Sequence, residues 1–238
     1  SLAFDASTFE LWGALLNGAC LALPTDDMVL EARELKVFAA QARASIMFLT
    51  TSLMNQYVDS EIDVFRNFRV VMSGGERASV QHFNRLRAHC PEVQLKNMYG
   101  PTENTTFSTW YDVEEFHQSD IPIGRAISNT CVYVVDPAGN PVPFGVAGEI
   151  VLGGDGVALG YLNLDEKTAS CFIKDRFADQ DDACQRQLYR SGDMGMWQSD
   201  AQLLYLGRID KQVKIRGYRV EPEELEQSLL AHPAVDIA

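Results

Sequence analysis

"FRVVMSGGE", Phe68 to Glu76, and "VQLKNMYGPTE", Val93 to Glu103, decide the fold. Each is a short apolar run broken by glycine, the pattern of a buried strand that ends in a tight turn. Two such runs separated by a helical pattern, Ser79 to His89, read as parallel α/β units. An open parallel sheet places its ligand crevice beyond the C-terminal ends of its strands, where these glycines fall. Gly74, Gly75 and Gly100 allow a close backbone approach that a side chain would block. Tyr99 offers an aromatic face for a purine, Thr102 a hydroxyl for a phosphate oxygen, and Glu103 a hard oxygen ligand for magnesium. Neither loop is a Walker phosphate loop or a Rossmann fingerprint, and read singly each is a glycine turn.

Working outward, "SIMFLT" (Ser45 to Thr50) and "CLALP" (Cys20 to Pro24) read as two more strands. Helical patterns run from about Leu30 to Arg43 and Thr51 to Asp59. From about Asp120 the texture turns β-rich: "CVYVVDPAGNPVPFGVAGEIVLGG" is punctuated by Pro-Ala-Gly-Asn and Pro-Phe-Gly, which predicts a small barrel or sandwich. "YRSGD" (Tyr189 to Asp193) and "GRID" (Gly207 to Asp210) put Asp193 and Arg208 on turns at strand ends, where a carboxylate can accept two ribose hydroxyls. The segment that follows predicts a hairpin turning at Arg216-Gly217, a helix from about Pro222 to Ala231, and the start of a further strand. Lys211, Lys214, Arg216 and Arg219 read as a solvated hairpin face.

The 238 residues are 46% hydrophobic and 22% charged, enough for a real core. A net charge of −13 excludes a polyanionic partner, so neither nucleic acid nor an anionic membrane surface is expected. No apolar run reaches membrane-spanning length and "SLAFDAS" lacks the marks of a signal peptide, so a cytoplasmic protein is expected. Cys20, Cys90, Cys131, Cys171 and Cys184 are widely spaced, without histidines at ligand spacing, and read as ordinary thiols, mostly buried.

The segment "FDASTFELWGALLNGACLALP", Phe4 to Pro24, raises a different question, because Asp5 sits in apolar surroundings. Leu2 to Phe4 read as the end of a buried strand, Ser7 and Glu10 as a capping box, and Phe9, Trp12, Leu15 and Leu16 as the apolar stripe of a helix ending near Gly18. Asp5 either adds favourable charge near the helix N-terminus or waits for a cation.

Taken together, "FDAS", "NMYGPTE", "GEIVLGGDGVALGYL", "YRSGD" and "GRIDKQVKIRGYRVEPEELE" occur in an order that resembles the amino-acid-activating adenylation domain of non-ribosomal peptide synthetases. That group lies within the AMP-forming ligases, which include acyl-CoA synthetases and luciferases. Leu159 stands where the family usually has arginine, Ser191 where it has threonine, and Glu223 where it commonly has glycine. The resemblance implies an α/β plus β fold. Residues 1–119 would be a second, flavodoxin-like α/β subdomain, 120–209 a β-barrel subdomain, and 210–238 the hinge and start of an α+β C-terminal subdomain.

It also implies roles. Gly74, Gly75, Glu76, Asn97, Tyr99, Gly100, Thr102, Asp193, Tyr205 and Arg208 would bind the nucleotide. Asn97 would read adenine, Thr102 touch the α-phosphate, Glu103 hold Mg2+, Asp193 and Arg208 clasp the ribose, and Asp210 serve as the hinge. Asp5 would pair with the α-ammonium of an amino acid, an interaction acyl-CoA synthetases do not need. Asp5, Ala6, Phe9, Phe48, Met72, Gly74, Met98, Thr106 and Phe107 would line an apolar pocket, with Ala6 and Gly74 leaving room for isoleucine or valine. The implied reaction uses ATP and passes the aminoacyl group to phosphopantetheine on a peptidyl carrier, with condensation domains as further partners. The family's phosphate loop ending in Pro-Lys-Gly and its C-terminal lysine do not occur in the 238 residues, so this chain alone is expected not to turn over. The alternatives are an aryl- or acyl-acid ligase, which Asp5 disfavours, and a non-catalytic adenylation-like module, which the presence of Asp5, Glu103, Asp193 and Arg208 disfavours.

Overall fold

A computed structural model describes residues 2–177, 187–210, 212–215, 218–220, 222–232 and 235. The expectations for Cys184, Lys211, the Arg216-Gly217 turn, the side chain of Arg219 and a closing strand lie outside the described residues.

The first part is a mixed sheet built from β1 (Ile46–Thr50), β2 (Val70–Gly74), β3 (Gln94–Tyr99), β4 (Thr109–Asp112) and β5 (Arg125–Ala126), hydrogen-bonded in that order. β1, β2 and β3 are parallel, and β4 and β5 turn back antiparallel. Helices α1 (Ala6–Leu15), α2 (Asp26–Leu30), α3 (Ala32–Ala42), α4 (Thr51–Ser60) and α5 (Val80–His89) accompany the sheet. Strand alternation decides which face each residue serves. Leu49, Val71 and Leu95 join Met54, Tyr57, Phe65 and Leu86 in the main core, whereas Phe48, Met72 and Met98 join Val70, Phe9 and Phe107 in a separate cluster.

The start of the chain departs from expectation. Leu2 to Phe4 form a turn instead of a strand end, and Leu2 is 81% exposed. The first helical turn closes on Phe4, whose carbonyl accepts from Ser7, so Ser7 lies inside the helix and Asp5 holds the N-cap position. Asp5 does not cap with its side chain, because its carboxylate is engaged by Thr102. Only Ala6 of α1 is buried, and Trp12, Leu15 and Leu16 are exposed. Cys20 to Pro24 pair with no strand, since β1 is an edge among the described residues. Cys20 is therefore exposed, Cys131 and Cys171 are half-buried, and of the described thiols Cys90 alone is buried.

The second part is a curled antiparallel half-barrel in the order β10-β9-β7-β6. Its strands are β6 (Thr130–Val135), β7 (Ala147–Gly154), β8 (Phe172–Lys174), β9 (Gln187–Trp197) and β10 (Leu203–Arg208), with α6 (Asp165–Cys171) leading into β8, which pairs with β9. The predicted turns are formed: Asp136 accepts from the Asn140 amide across Pro-Ala-Gly-Asn, and Gly145 ends Pro-Phe-Gly at φ +80°. The two parts join where Gly124 bridges Leu203 and where Tyr99 enters the half-barrel core beside Ile150, Tyr189 and Leu203. A hairpin, β11 (Val213–Ile215) and β12 (Tyr218–Val220), then leads to α7 (Pro222–Leu230). No helix among the described residues is long and apolar enough to cross a membrane.

Candidate functional site

At the C-terminal ends of β2 and β3, where they face the half-barrel, lies a cavity of about 570 Å³. Gly75, Glu76, Asn97, Tyr99, Gly100, Tyr205, Arg208 and Asp210 all line it, so the glycine loops of the first part meet the last strand of the second. Gly100 has a local reason to be glycine: a Cβ there would come 2.3 Å from the Thr106 carbonyl. Gly74 does not line the cavity. Its missing Cβ makes way for the Met98 carbonyl, 2.4 Å from where that carbon would be, and so does not leave the room expected of it.

Asp193 stands behind this lining, 3% exposed, with each carboxylate oxygen accepting a hydrogen bond. Tyr99 donates its hydroxyl to Oδ2 at 2.7 Å, and Arg208 donates Nη1 to Oδ1 at 2.9 Å. Arg208 is opposite Asp193 in the β9–β10 register, and its Nε and Nη2 grip Asp210 at 2.6 and 2.7 Å. The guanidinium thus ties the buried carboxylate to the residue assigned to the hinge. Gly192, at φ +71°, gives it space, since a Cβ would lie 2.8 Å from Nη2. Burial pushes the Asp193 carboxyl above its ordinary range, against the pull of Tyr99 and Arg208. Burial and the neighbouring Asp193 raise the Tyr99 hydroxyl well above its ordinary value, which keeps it a donor. Tyr205, packed against Tyr99 at 6.2 Å, is pushed up to about 12 by burial. Asn97, 2% exposed, donates one N–H of its carboxamide to the Pro122 carbonyl at 2.8 Å.

A second group of predicted residues gathers beside the first. Thr102 donates to Asp5 Oδ2 at 2.6 Å and Thr106 donates to the Asp5 carbonyl at 2.8 Å. Thr105 and Thr106 have positive φ, 46° and 77°, a conformation that costs about 1–3 kcal/mol per residue and persists where surroundings impose it. Phe107 packs between Phe9, at 5.4 Å, and Phe48, at 5.1 Å, with Met72 and Met98 in the same cluster and Ala6 buried nearby.

Glu103, next in sequence to Thr102, does not line the cavity, is 6% exposed, and accepts the Tyr161 hydroxyl at 2.6 Å. Burial, then Glu103, raises the Tyr161 hydroxyl. Among the described residues no group of three or more His, Cys, Asp or Glu could hold a metal by itself.

Sequence reading missed Asp120 and Gln212 on the cavity wall and Tyr161 on Glu103, whereas the family resemblance implies that the backbone from Gly74 to Arg77 closes one side of the site, and Gly75, Glu76 and Arg77 do line the cavity. Nothing local marks Asp120 or Gln212. Tyr161 was visible within "GVALGYL", but no residue there signals its reach to a loop 58 positions upstream.

The family model described as AMP-binding enzyme matches residues 1–162. The chain belongs to the AMP-binding enzyme family. This chain is 44% identical to Gramicidin S synthase 2 of Brevibacillus brevis over 99% of its own length and 5% of that protein's. It is 45% identical to Tyrocidine synthase 3 of Brevibacillus parabrevis over 96% of its length and 4% of the relative's. Its fold is similar to that of holo-PA1221, an NRPS protein containing adenylation and PCP domains bound to a vinylsulfonamide inhibitor. That match has a TM-score of 0.91 at 36% identity, over 100% of this chain and 41% of the other. The chain thus spans a small fraction of the curated relatives and less than half of the solved one.

Proposed function

We propose that this chain forms the nucleoside and amino-acid sites of an enzyme that activates an α-amino acid as its aminoacyl-adenylate and hands it to a carrier-bound phosphopantetheine thiol. The carrying observation is the cavity in which Asn97, Tyr99, Tyr205 and Arg208 surround a space backed by Asp193. In this reading the Asn97 oxygen accepts from the adenine amine and the ring of Tyr99 packs on the base. The lone pairs left on the Asp193 carboxylate accept the ribose hydroxyls while Arg208 holds it in place. Asp5 Oδ1 accepts from the substrate ammonium, since Thr102 occupies Oδ2. The Phe9, Phe48, Met72, Met98 and Phe107 cluster receives an aliphatic side chain, isoleucine or valine, because it offers no polar group to a charged one.

The substrate carboxylate attacks the α-phosphorus and pyrophosphate leaves. The carrier thiol then attacks the adenylate carbonyl, and AMP leaves. The Glu103 carboxylate, one residue after Thr102 and held by the Tyr161 hydroxyl, suits Mg2+, which takes one or two carboxylates and fills its shell with phosphate and water. Glu103 would hold that ion, which when bound neutralises phosphate charge. Thr102 would turn its single hydroxyl proton from Asp5 to an α-phosphate oxygen when ATP binds, and Asp210 would be the hinge between the two half-reactions. Carrier and condensation domains are the proposed partners, and residues 1–119, 120–209 and 210–238 the proposed subdomain limits, with β5 adding residues 125 and 126 of the second stretch to the first sheet.

The test is amino-acid-dependent pyrophosphate exchange, measured on a polypeptide that joins this chain to the phosphate loop and lysine of the family. Isoleucine or valine is expected to give the highest rate, and a maximum at a charged or aromatic amino acid overturns the pocket reading. Asp5→Ala is expected to abolish exchange and leave ATP affinity within about twofold. A matching loss of ATP affinity in a titration would make Asp5 a structural residue.

A further inference from the structure

Between Arg190 and Met194, strand β9 departs from its register with β7. Val151 is opposite Arg190 and Glu149 is opposite Met194, so Ser191, Gly192 and Asp193 together face the single residue Ile150. This bulge brings the Asp193 carboxylate to Tyr99 and Arg208. Its inner contacts are the Ser191 hydroxyl donating to the Ile150 carbonyl at 2.6 Å and the Asp193 amide donating to the Ser191 hydroxyl at 3.0 Å.

A carboxylate on the facing strand, with no part in the proposed chemistry, spans the same bulge. Glu149 is 7% exposed, and its two oxygens do different work. Oε2 accepts from Arg190 Nε at 3.1 Å and Nη2 at 2.5 Å, while Oε1 accepts from the Gly192 amide at 3.3 Å. One side chain therefore grips the residues on both sides of Ser191. The Gly192 amide belongs to a residue at φ +71°, where strand pairing offers it no regular partner.

We infer that Glu149, anchored by Arg190, is a positioning residue for the ribose contact: it sets the shape of the bulge and so the place of Asp193. Glu149 touches no ligand in this scheme and acts through Gly192. The inference rests on the reading of Asp193 as the acceptor of ribose hydroxyls. An interaction needed only for folding would shift every nucleotide alike, whereas one that places Asp193 alters the preference for a ribose bearing both hydroxyls.

The experiment titrates the polypeptide that joins this chain to the family's phosphate loop and lysine, and its Glu149→Gln variant, with ATP and with 2′,3′-dideoxy-ATP, after thermal melts establish that both are folded. Two hydrogen bonds to a charged carboxylate predict that the wild type prefers ATP by about 100-fold. Glu149→Gln, which loses the charge that holds Arg190, is expected to cut that preference to below about tenfold while leaving the preference for adenine over guanine unchanged. If Glu149→Gln does not fold, Arg190→Gln, altered from the more exposed side of the pair, is read for the same fall. A folded variant that keeps the wild-type ratio overturns the role of Glu149. A wild type that binds ATP but ignores the missing hydroxyls overturns the ribose reading of Asp193, and a wild type that binds neither nucleotide overturns the nucleotide reading as a whole.

Discussion

The two sheets meet at one cavity but contribute to it in opposite ways. The parallel strands β2 and β3 supply residues where they end, at Gly75, Tyr99 and Gly100, so the site is a consequence of chain direction. The antiparallel strands β9 and β10 supply Asp193 and Arg208 from a bulge and a cross-strand pair, which chain direction does not locate. Their charges differ too. Ion pairs of the first part, such as Arg85–Asp59 and Arg66–Asp63, are exposed, while Arg208–Asp193 is buried at 12% and 4% side-chain exposure. A site assembled from both parts takes its openness from one and its fixed charges from the other.

The largest effect that tests this contrast is expected at the buried pair. Arg208→Ala leaves the Asp193 carboxylate without its cation, and removing one partner of a buried pair costs about 3–5 kcal/mol. Arg33→Ala, whose side chain is 86% exposed, is expected to change stability by less than about 0.5 kcal/mol. Urea unfolding of both variants measures the difference, and equal losses would erase the distinction between the two parts.

The junction comes next. Gly124 pairs with Leu203 at φ +85°, and a Cβ there would lie 1.8 Å from the Trp110 carbonyl. Gly124→Ala combines a disfavoured backbone with overpacking and is expected to cost about 3 kcal/mol or more. Gly145 has a similar φ, +80°, but open space around it, so Gly145→Ala isolates the backbone contribution at about 1–2 kcal/mol. A Gly124→Ala protein no less stable than Gly145→Ala in the same urea titration would mean that the junction gives way.

The same contrast explains what was legible in the sequence. β1, β2, β3 and helices α3, α4 and α5 announce themselves because each apolar run is bounded by a local break, and the cavity follows from where the runs end. "CLALP" is as apolar as β1, yet it forms no strand, because a strand is made by a neighbour and this segment has none among the described residues. Ser7 and Glu10 match a capping box, but Asp5 takes the N-cap position, a choice fixed by Thr102 and Thr106 about a hundred residues away. Asp193 and Arg208 were legible as a carboxylate and a cation expected on turns at strand ends, but Asp193 lies in a bulge inside β9, which only its pairing with β7 creates. Glu149 was quoted within one of them and carried no signal, because its partners are defined by a bulge in another strand.

The smallest expected effect lies in the exposed charges of the parallel part, where acid sensitivity should reside. The Asp63 carboxyl is lowered to about 2, first by the hydrogen bond from His89, at 2.7 Å, and then by that from Arg66, at 2.9 Å. A carboxyl whose folded value is depressed stabilises the fold fully above its unfolded value, near 3.8, and loses that contribution as pH falls toward about 2. Asp193 carries the opposite sign: burial raises it, so its contribution is fully present below its unfolded value and is lost as pH rises through its folded one. Asp63→Asn should therefore flatten the stability of the protein between pH 4 and pH 2 and leave the slope above pH 5 unchanged. The measurement is urea unfolding of wild type and variant at half-unit steps from pH 6 to pH 2. Parallel curves over the whole range would remove Asp63 from the acid response and leave that response to the other carboxyls held below their ordinary range, Glu61 by Lys36 and Asp136 by the Asn140 amide.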